Sequence, residues 1–311
     1  MNTESQTTSH ILMVRPVNFS FNVQTAANNA FQVKGNDRAV HDTALKEFDQ
    51  FVKTLSDAGV EVQVVDDSAA PETPDSIFPN NWVSFHAGGS IVLYPMFAEN
   101  RRAERKQHVI DAIARHFLIA RTIDMTGYEH EDLFLEGTGS MVLDREHKLA
   151  FACLSPRTSR KVLQDFCTKL GYEAVTFSAV DQRGVPIYHT NVMMCIADRY
   201  AVVCLDTVSD PDERNEVARR LTAAGKAIVE ITFEQLAHFA GNMLQVENKA
   251  GEKLLIMSSQ AYESLSQGHR ETLERYNRIV HSSIGTIEAN GGGSARCMMA
   301  EVHLPVKKIE K

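Results

Sequence analysis

Three residues far apart in the chain carry side chains that together could break a carbon–nitrogen bond: Cys297 in GGGSARCMMAEVHLP, His189 in PIYHTNVMM and Glu136 in FLEGTGS. Thiolate is the attacking form of cysteine, and a nearby charge or base makes it accessible at neutral pH. A histidine can carry the proton to and from the reacting group, and a carboxylate fixes its tautomer and raises its basicity. The glycines before Cys297 leave room for a substrate carbon to approach the sulfur, which a cysteine buried for packing does not need. Cys153, Cys167, Cys195 and Cys204 lie in apolar runs and read as core. His86, His108, His116, His147 and His238 read as surface or hydrogen-bonded residues.

For Cys297, His189 and Glu136 to meet, the chain must return to one place several times, and a weak internal repeat of about fifty residues provides this. NWVSFHAGGSIVLYPM is followed by the charged helical stretch RRAERKQHVIDAIARHF and by LIARTIDM. GSMVLDREHKLAFACLS leads to RTSRKVLQDFCTKLG and YEAVTFS, and NVMMCIADRYAVVCLD to DERNEVARRLTAAG and KAIVEIT. NMLQVENKAGEKLLIMS continues through YESLSQGHRETLERYNRIV and ends in IGTIEA. Each unit reads as two short strands, an amphipathic helix and a further strand. The fifth is split, with RCMMAEVHLP near the C-terminus and HILMVRP, ALKEFDQFVKTLSDAG and VEVQVVDD near the N-terminus. Sharing one unit between the termini closes a ring without leaving a free sheet edge. The spacing therefore predicts a single α/β domain over residues 1–311, a five-fold pseudosymmetric propeller of ββαβ units closed by the termini. Length alone suggests two domains.

The positions leading into the first strand of each unit are Asn81, Ser140, Asn191, Asn242 and Cys297, 51 to 59 residues apart. Equivalent positions converge near the axis of such a ring. Asp75, Asn80, Asn81, Glu136, His189, Asn191 and Cys297 are thus expected at one central site, with PVNFSFN either at its entrance or in a structural loop.

Bulk properties narrow the class. Composition is that of an ordinary globular chain, 43% hydrophobic and 23% charged. The net charge of -8 and the lack of a basic, aromatic-interleaved run argue against nucleic acid as partner. No apolar run has the length of a membrane span, and MNTESQTTSHILMVRP lacks the pattern of a secretory signal. Five cysteines do not suggest a disulfide framework. These features predict a soluble, reduced, cytoplasmic protein with neither nucleic acid nor membrane as partner; they leave a homo-oligomer open. There is no CxxC, HExxH, GxGxxG or GxxxxGK[ST], so neither metal nor cofactor is expected.

In their order, PDSIFPNN, LEGTGSMVLDR, YHTNVMM, GNMLQVEN and GGSARCM resemble the motifs of the guanidino-group-modifying enzymes. This is the pentein superfamily of arginine deiminases, dimethylarginine dimethylaminohydrolases and amidinotransferases. The resemblance runs from MVRP to the C-terminal strand and implies the same five-unit ring. It implies Cys297 as nucleophile, His189 as general acid/base and Glu136 as the partner of His189. Guanidine-processing members clamp their cationic substrate with two aspartates, one closing a PDSVFVED-like stretch and one at the third position of an HxD motif. Here both positions are asparagine, Asn81 and Asn191.

Two neutral amides leave a buried guanidinium poorly compensated, whereas a ureido group offers both a carbonyl acceptor and N–H donors. The chain thus looks like the citrulline-hydrolysing branch of the superfamily, yielding ornithine, ammonia and carbon dioxide through a thio-intermediate on Cys297. Asp75, Asn80, Asn81 and Asn191 are the expected substrate-binding residues. Backbone N–H groups near Gly292 and Gly293 are candidates for the oxyanion site, and Arg15 and Arg296 for the substrate carboxylate. The alternatives are a guanidino substrate clamped by Asp75 or Asp144, an amidinotransferase, an arginine deiminase, and a non-catalytic pentein that only binds.

Overall fold

The computed structural model describes residues 4–26, 29, 31–32 and 37–308. Fifteen short strands form among them: β1 (His10–Arg15), β2 (Glu61–Asp66), β3 (Val83–His86), β4 (Ser90–Leu93), β5 (Arg121–Asp124), β6 (Val142–Asp144), β7 (Leu149–Cys153), β8 (Glu173–Phe177), β9 (Met194–Ile196), β10 (Tyr200–Val203), β11 (Ala227–Glu230), β12 (Leu244–Glu247), β13 (Lys253–Ser258), β14 (Arg278–Ser282) and β15 (Ala300–Glu301). They make five three-stranded sheets, β3-β4-β5, β6-β7-β8, β11-β10-β9, β12-β13-β14 and β15-β1-β2. In each the middle strand pairs antiparallel on one side and parallel on the other. A tight turn suffices for the first pairing, while the parallel one needs a crossover, supplied by a helix. The last sheet joins both ends of the chain, with Ile11 opposite Glu301 and Leu12 opposite Ala300.

The middle strands are buried on both faces, which is why LAFAC, YAVV and LLIM read as continuous apolar runs. Each crossover helix instead buries one stripe. In Arg160–Leu170 it is Val162, Leu163, Phe166 and Cys167, at helical spacing, and Gly171 in the left-handed conformation ends the helix. The segment ahead of β1 ties sheets together. The Gln6 side-chain amide donates to the carbonyls of Leu143 and Ile196, and Glu4 takes bonds from Arg145 and Lys148. No helix among the described residues is long and apolar enough to cross a membrane.

Two elements differ from the sequence reading. IGTIEA, expected to be the fourth unit's last strand, lies in the helix Gly285–Gly291, and the strand is β14, drawn from the end of the stretch read as helical. The RIV run of β14 finds a parallel partner in β13. The Glu47 carboxylate accepts from the N–H groups of Thr286 and Ile287, which a helix start leaves without partners. The charged stretch from Arg101 is not one helix either. A short helix, Glu99–Arg102, precedes Gln107–His116, and Arg101 in the first and Glu104 and Lys106 between the two are buried and ion-paired instead of facing water.

Candidate active site

Four of the five leading positions sit on tight turns just before a first strand: Asn81 on Pro79–Asn81, Ser140 on Gly137–Ser140, Asn191 on Thr190–Val192, and Cys297 on a turn closed by its N–H to the Ser294 carbonyl. Asn242 completes the set, its N–H on the Phe239 carbonyl. These turns bring the candidate residues together around a narrow cleft of about 20 Å³, well below the usual size of a small-molecule site. Asp75, Asn81, His189 and Cys297 line it, with Arg101, Arg157, Tyr188 and Gly291 to Gly293. A roomier apolar cavity beside Phe31, Phe233 and Phe239 shares Asn29 and Tyr188 with the cleft but reaches none of Cys297, His189 and Glu136.

His189 gives its Nε2 to the Glu136 carboxylate at 2.7 Å. The other Glu136 oxygen accepts the Phe97 N–H at 3.0 Å, and Arg157 stands 3.5 Å away. Burial alone would raise the Glu136 carboxyl, but Arg157 and His189 outweigh it and hold it well below the usual carboxylate range. Burial lowers His189 to about 4 against the pull of Glu136, so its imidazole is neutral at neutral pH with Nδ1 outside the Glu136 bond. Gly139 makes room for this ring: a Cβ there would lie 2.3 Å from Asn81 Nδ2 and 2.9 Å from His189 Nδ1.

The Cys297 sulfur is buried and receives two amide donors, Asn191 Nδ2 at 3.4 Å and Asn242 Nδ2 at 3.3 Å. Asn81 Oδ1 accepts from Arg101 Nη1 at 2.9 Å, so its amino end is left, buried and without a partner. Arg101 is in turn gripped by Glu104 through two bonds of 2.8 and 2.9 Å. Asp75 takes Asn22 at 2.8 Å and Thr25 at 3.3 Å on one oxygen, while its other oxygen is buried without a partner. Burial pushes the Asp75 carboxyl up. Among the described residues, no group of three or more His, Cys, Asp or Glu is arranged to hold a metal ion.

Several sequence expectations fall elsewhere. Asn80 does not line the cleft; its amide turns to Thr138 Oγ1 at 3.4 Å. Asn191 meets the sulfur from behind the cleft wall rather than lining it. Arg15 pairs with Asp49 near the surface, and Arg296 is spent on Glu301 and the Met299 carbonyl, so neither lines the cleft. Asp144 bonds His147 and Lys226 instead. The Gly292 N–H caps a helix on the Glu288 carbonyl, which removes it as an oxyanion donor. PVNFSFN serves as support: its last residue, Asn22, holds Asp75. The sequence reading missed Arg101, Arg157 and Tyr188. The RRAERK charge run and PRTSR carried no signal that these arginines turn inward, though Tyr188 directly precedes His189.

Five three-stranded sheets, with a cysteine, a histidine and a glutamate gathered at their leading turns, carry the fold of the penteins, and a family match over most of the chain makes it one of the guanidino-group-modifying penteins. More closely, residues 15–304 match the family described as N,N dimethylarginine dimethylhydrolase, eukaryotic, and the chain belongs to that family. No curated protein sequence matches it. Among solved structures it is similar to the N-terminal domain of ArgZ, an arginine dihydrolase from the ornithine-ammonia cycle in Cyanobacteria, in a cysteine-to-serine variant bound to substrate. The TM-score is 0.75 at 19% identity, over 95% of this chain and 98% of that domain. Against apo ArgZ the chain spans only 41% of the longer protein, with a TM-score of 0.75 at 19% identity over 96% of this chain. A dimethylarginine dimethylaminohydrolase variant, as its adduct with S-methyl-L-thiocitrulline, aligns at TM-score 0.62 and 14% identity over 94% of this chain and 98% of that one.

Proposed function

We propose that the protein is a cysteine-dependent hydrolase of a ureido amino acid, most simply citrulline, working in one ring-closed domain. The observation that carries the substrate reading is the orientation of Asn81. Arg101 occupies its oxygen, so the amide presents N–H groups beside His189. A ureido oxygen accepts from that donor, whereas a guanidinium, which has only N–H groups in its plane, sets donor against donor. The same cleft suits an amino acid's other end. Asp75 has an unpartnered oxygen for the α-ammonium, and Arg101 and Arg157 are cations for the α-carboxylate.

In this mechanism His189 takes the thiol proton of Cys297, and the thiolate attacks the ureido carbon, forming the C–S bond and a tetrahedral intermediate. His189 returns a proton to the departing nitrogen, either ammonia or the δ-amine. Water, deprotonated by His189, then displaces the sulfur, and the resulting carbamate loses carbon dioxide. Glu136 keeps the imidazole oriented and offsets the charge it carries between steps.

A second reading has an observation of its own. The unpartnered Asp75 oxygen could instead accept from a guanidinium, making the substrate arginine or a methylated arginine. Ornithine and citrulline release from citrulline, arginine and dimethylarginine, side by side, decides between them. Ornithine from citrulline alone supports the ureido reading, and turnover of arginine or dimethylarginine but not citrulline overturns it. Cys297→Ser is expected to stay folded and to lose turnover by more than a thousandfold; an active variant removes the covalent route.

A further inference from the structure

We infer that Asn242 is a catalytic residue of this site, whose side-chain amide holds the negative charge on the Cys297 sulfur. The inference rests on Cys297 as nucleophile, as proposed above, but not on the identity of the substrate. Asn242 is buried, and its Nδ2 lies 3.3 Å from the sulfur. Two backbone groups settle which way round the amide sits. Oδ1 accepts the Arg296 N–H at 3.1 Å, and Nδ2 donates to the Asn191 carbonyl at 2.9 Å. Turning the amide over would set oxygen against oxygen and N–H against N–H in a buried place. The Arg296 turn is itself held rigidly, its guanidinium bonded to Glu301 at 2.8 Å and to the Met299 carbonyl at 2.9 Å.

The charged and titratable groups around the cleft leave the sulfur to its amides. His189 gives Nε2 to Glu136, Arg101 is bound by Glu104, and Asp75 is held by Asn22 and Thr25. Arg157 packs over the Tyr188 ring, and the Tyr188 hydroxyl donates to the Gly292 carbonyl. The donors that reach the sulfur are Asn191 Nδ2 and Asn242 Nδ2. Hydrogen bonds to the charged form favour it without adding a formal charge. Asn242 therefore acts twice, on the thiolate before attack and on the thiolate released when water cleaves the intermediate. Its Oδ1, 3.6 Å from the sulfur, is also the acceptor for the proton of the neutral thiol.

Alkylation by iodoacetamide, which forms an S–C bond and releases iodide, tests this without substrate. Rates are measured from pH 6 to 10 for the wild type, Asn242→Asp and Asn242→Ser, with melting curves to confirm folding. Asp keeps the acceptor for Arg296 but offers the sulfur no donor. Its alkylation at pH 7 is expected to fall at least tenfold and to recover toward the wild-type rate at pH 10; Ser is expected to lie between. Turnover falls through kcat more than through KM. A folded variant with an unchanged pH profile overturns the inference. The wild type supplies a readout that needs no variant: the Asn242 side-chain NH2 resonance is expected to move as the thiol titrates, and a still resonance refutes the contact. If citrulline and arginine both fail as substrates while the alkylation profile shifts, the proposed function falls and the role of Asn242 stands.

Discussion

Asn81→Asp changes one atom at the point where, on the proposed function, substrate charge is read. In the wild type, Arg101 Nη1 holds Oδ1 at 2.9 Å and the buried amino end has no partner. The carboxylate keeps the Arg101 contact and turns an acceptor, not a donor, into the cleft beside His189. For a guanidinium this replaces an unpaired buried donor, a cost of about 1–3 kcal/mol, by a charge-assisted bond worth about 1.5–3 kcal/mol. Arg101 retains part of the new charge, so the gain lies toward the low end, about 3 kcal/mol in all. At 1.36 kcal/mol per tenfold, kcat/KM for arginine rises roughly a hundredfold. Citrulline loses a donor to its carbonyl and should fall about tenfold, so the ratio of arginine over citrulline rises roughly a thousandfold. The assay is initial-rate ornithine and citrulline formation from each substrate, with the melting temperature as a check on folding. A ratio within threefold of wild type in a folded variant would refute the claim that Asn81 reads substrate charge.

Two further outcomes are expected. Burial lowers His189 to about 4 and His86 to about 3, so between pH 6.5 and about 4 the unfolded chain gains protons that the native state does not. Each histidine then costs roughly 1.4 kcal/mol of stability per pH unit over that window, while Glu104 and Glu288, pushed up to about 7 by burial, act in the opposite sense below pH 7; the check is therefore an NMR titration of the two imidazoles, and a ring that gains its proton near pH 6.5 would contradict its placement. Arg157→Gln removes a cation from the cleft and from Glu136 and should lower kcat/KM by a hundredfold or more. Arg15→Ala, at the Asp49 pair, should stay within twofold, and steady-state kinetics on the two side by side checks the assignment of the carboxylate site.

What was legible in the sequence was the part set by local pattern. Continuous apolar runs such as YAVV and LAFAC mark strands buried on both faces, and the fifty-residue period orders them into five sheets. The convergence of Asn81, Asn191, Asn242 and Cys297 followed from position in the repeat alone. What stayed hidden depends on partners far away in the chain. IGTIEA becomes a helix because Glu47, some 240 residues earlier, caps it. Arg101 and Arg157 turn inward because Glu104 and Glu136 wait there, and a run like RRAERK reads locally as a solvated helix face. Arg296 beside Cys297 looked available because proximity in sequence says nothing of Glu301 holding it.

The arrangement also explains how a cleft with so many ionisable groups can present a largely neutral face to its reacting carbon. Arg101 is matched by Glu104 and Arg157 by Glu136, each through contacts that do not need a ligand. His189 is neutral at neutral pH, and the groups beside it and on the sulfur are the amides of Asn81, Asn191 and Asn242. Among the described residues that line the cleft, Asp75 keeps a carboxylate oxygen unpaired. A zwitterionic amino acid with a neutral ureido tail satisfies that pattern: its ammonium answers Asp75, its carboxylate lies near the paired arginines, and its carbonyl meets the amide donor. A guanidinium tail would bring a second cation with no second free carboxylate to receive it, at the cost attached to an uncompensated buried charge. On the proposed ureido reading, it is the pairing of the charges around the cleft, more than the identity of any single residue, that would let an amide at position 81 set the preference.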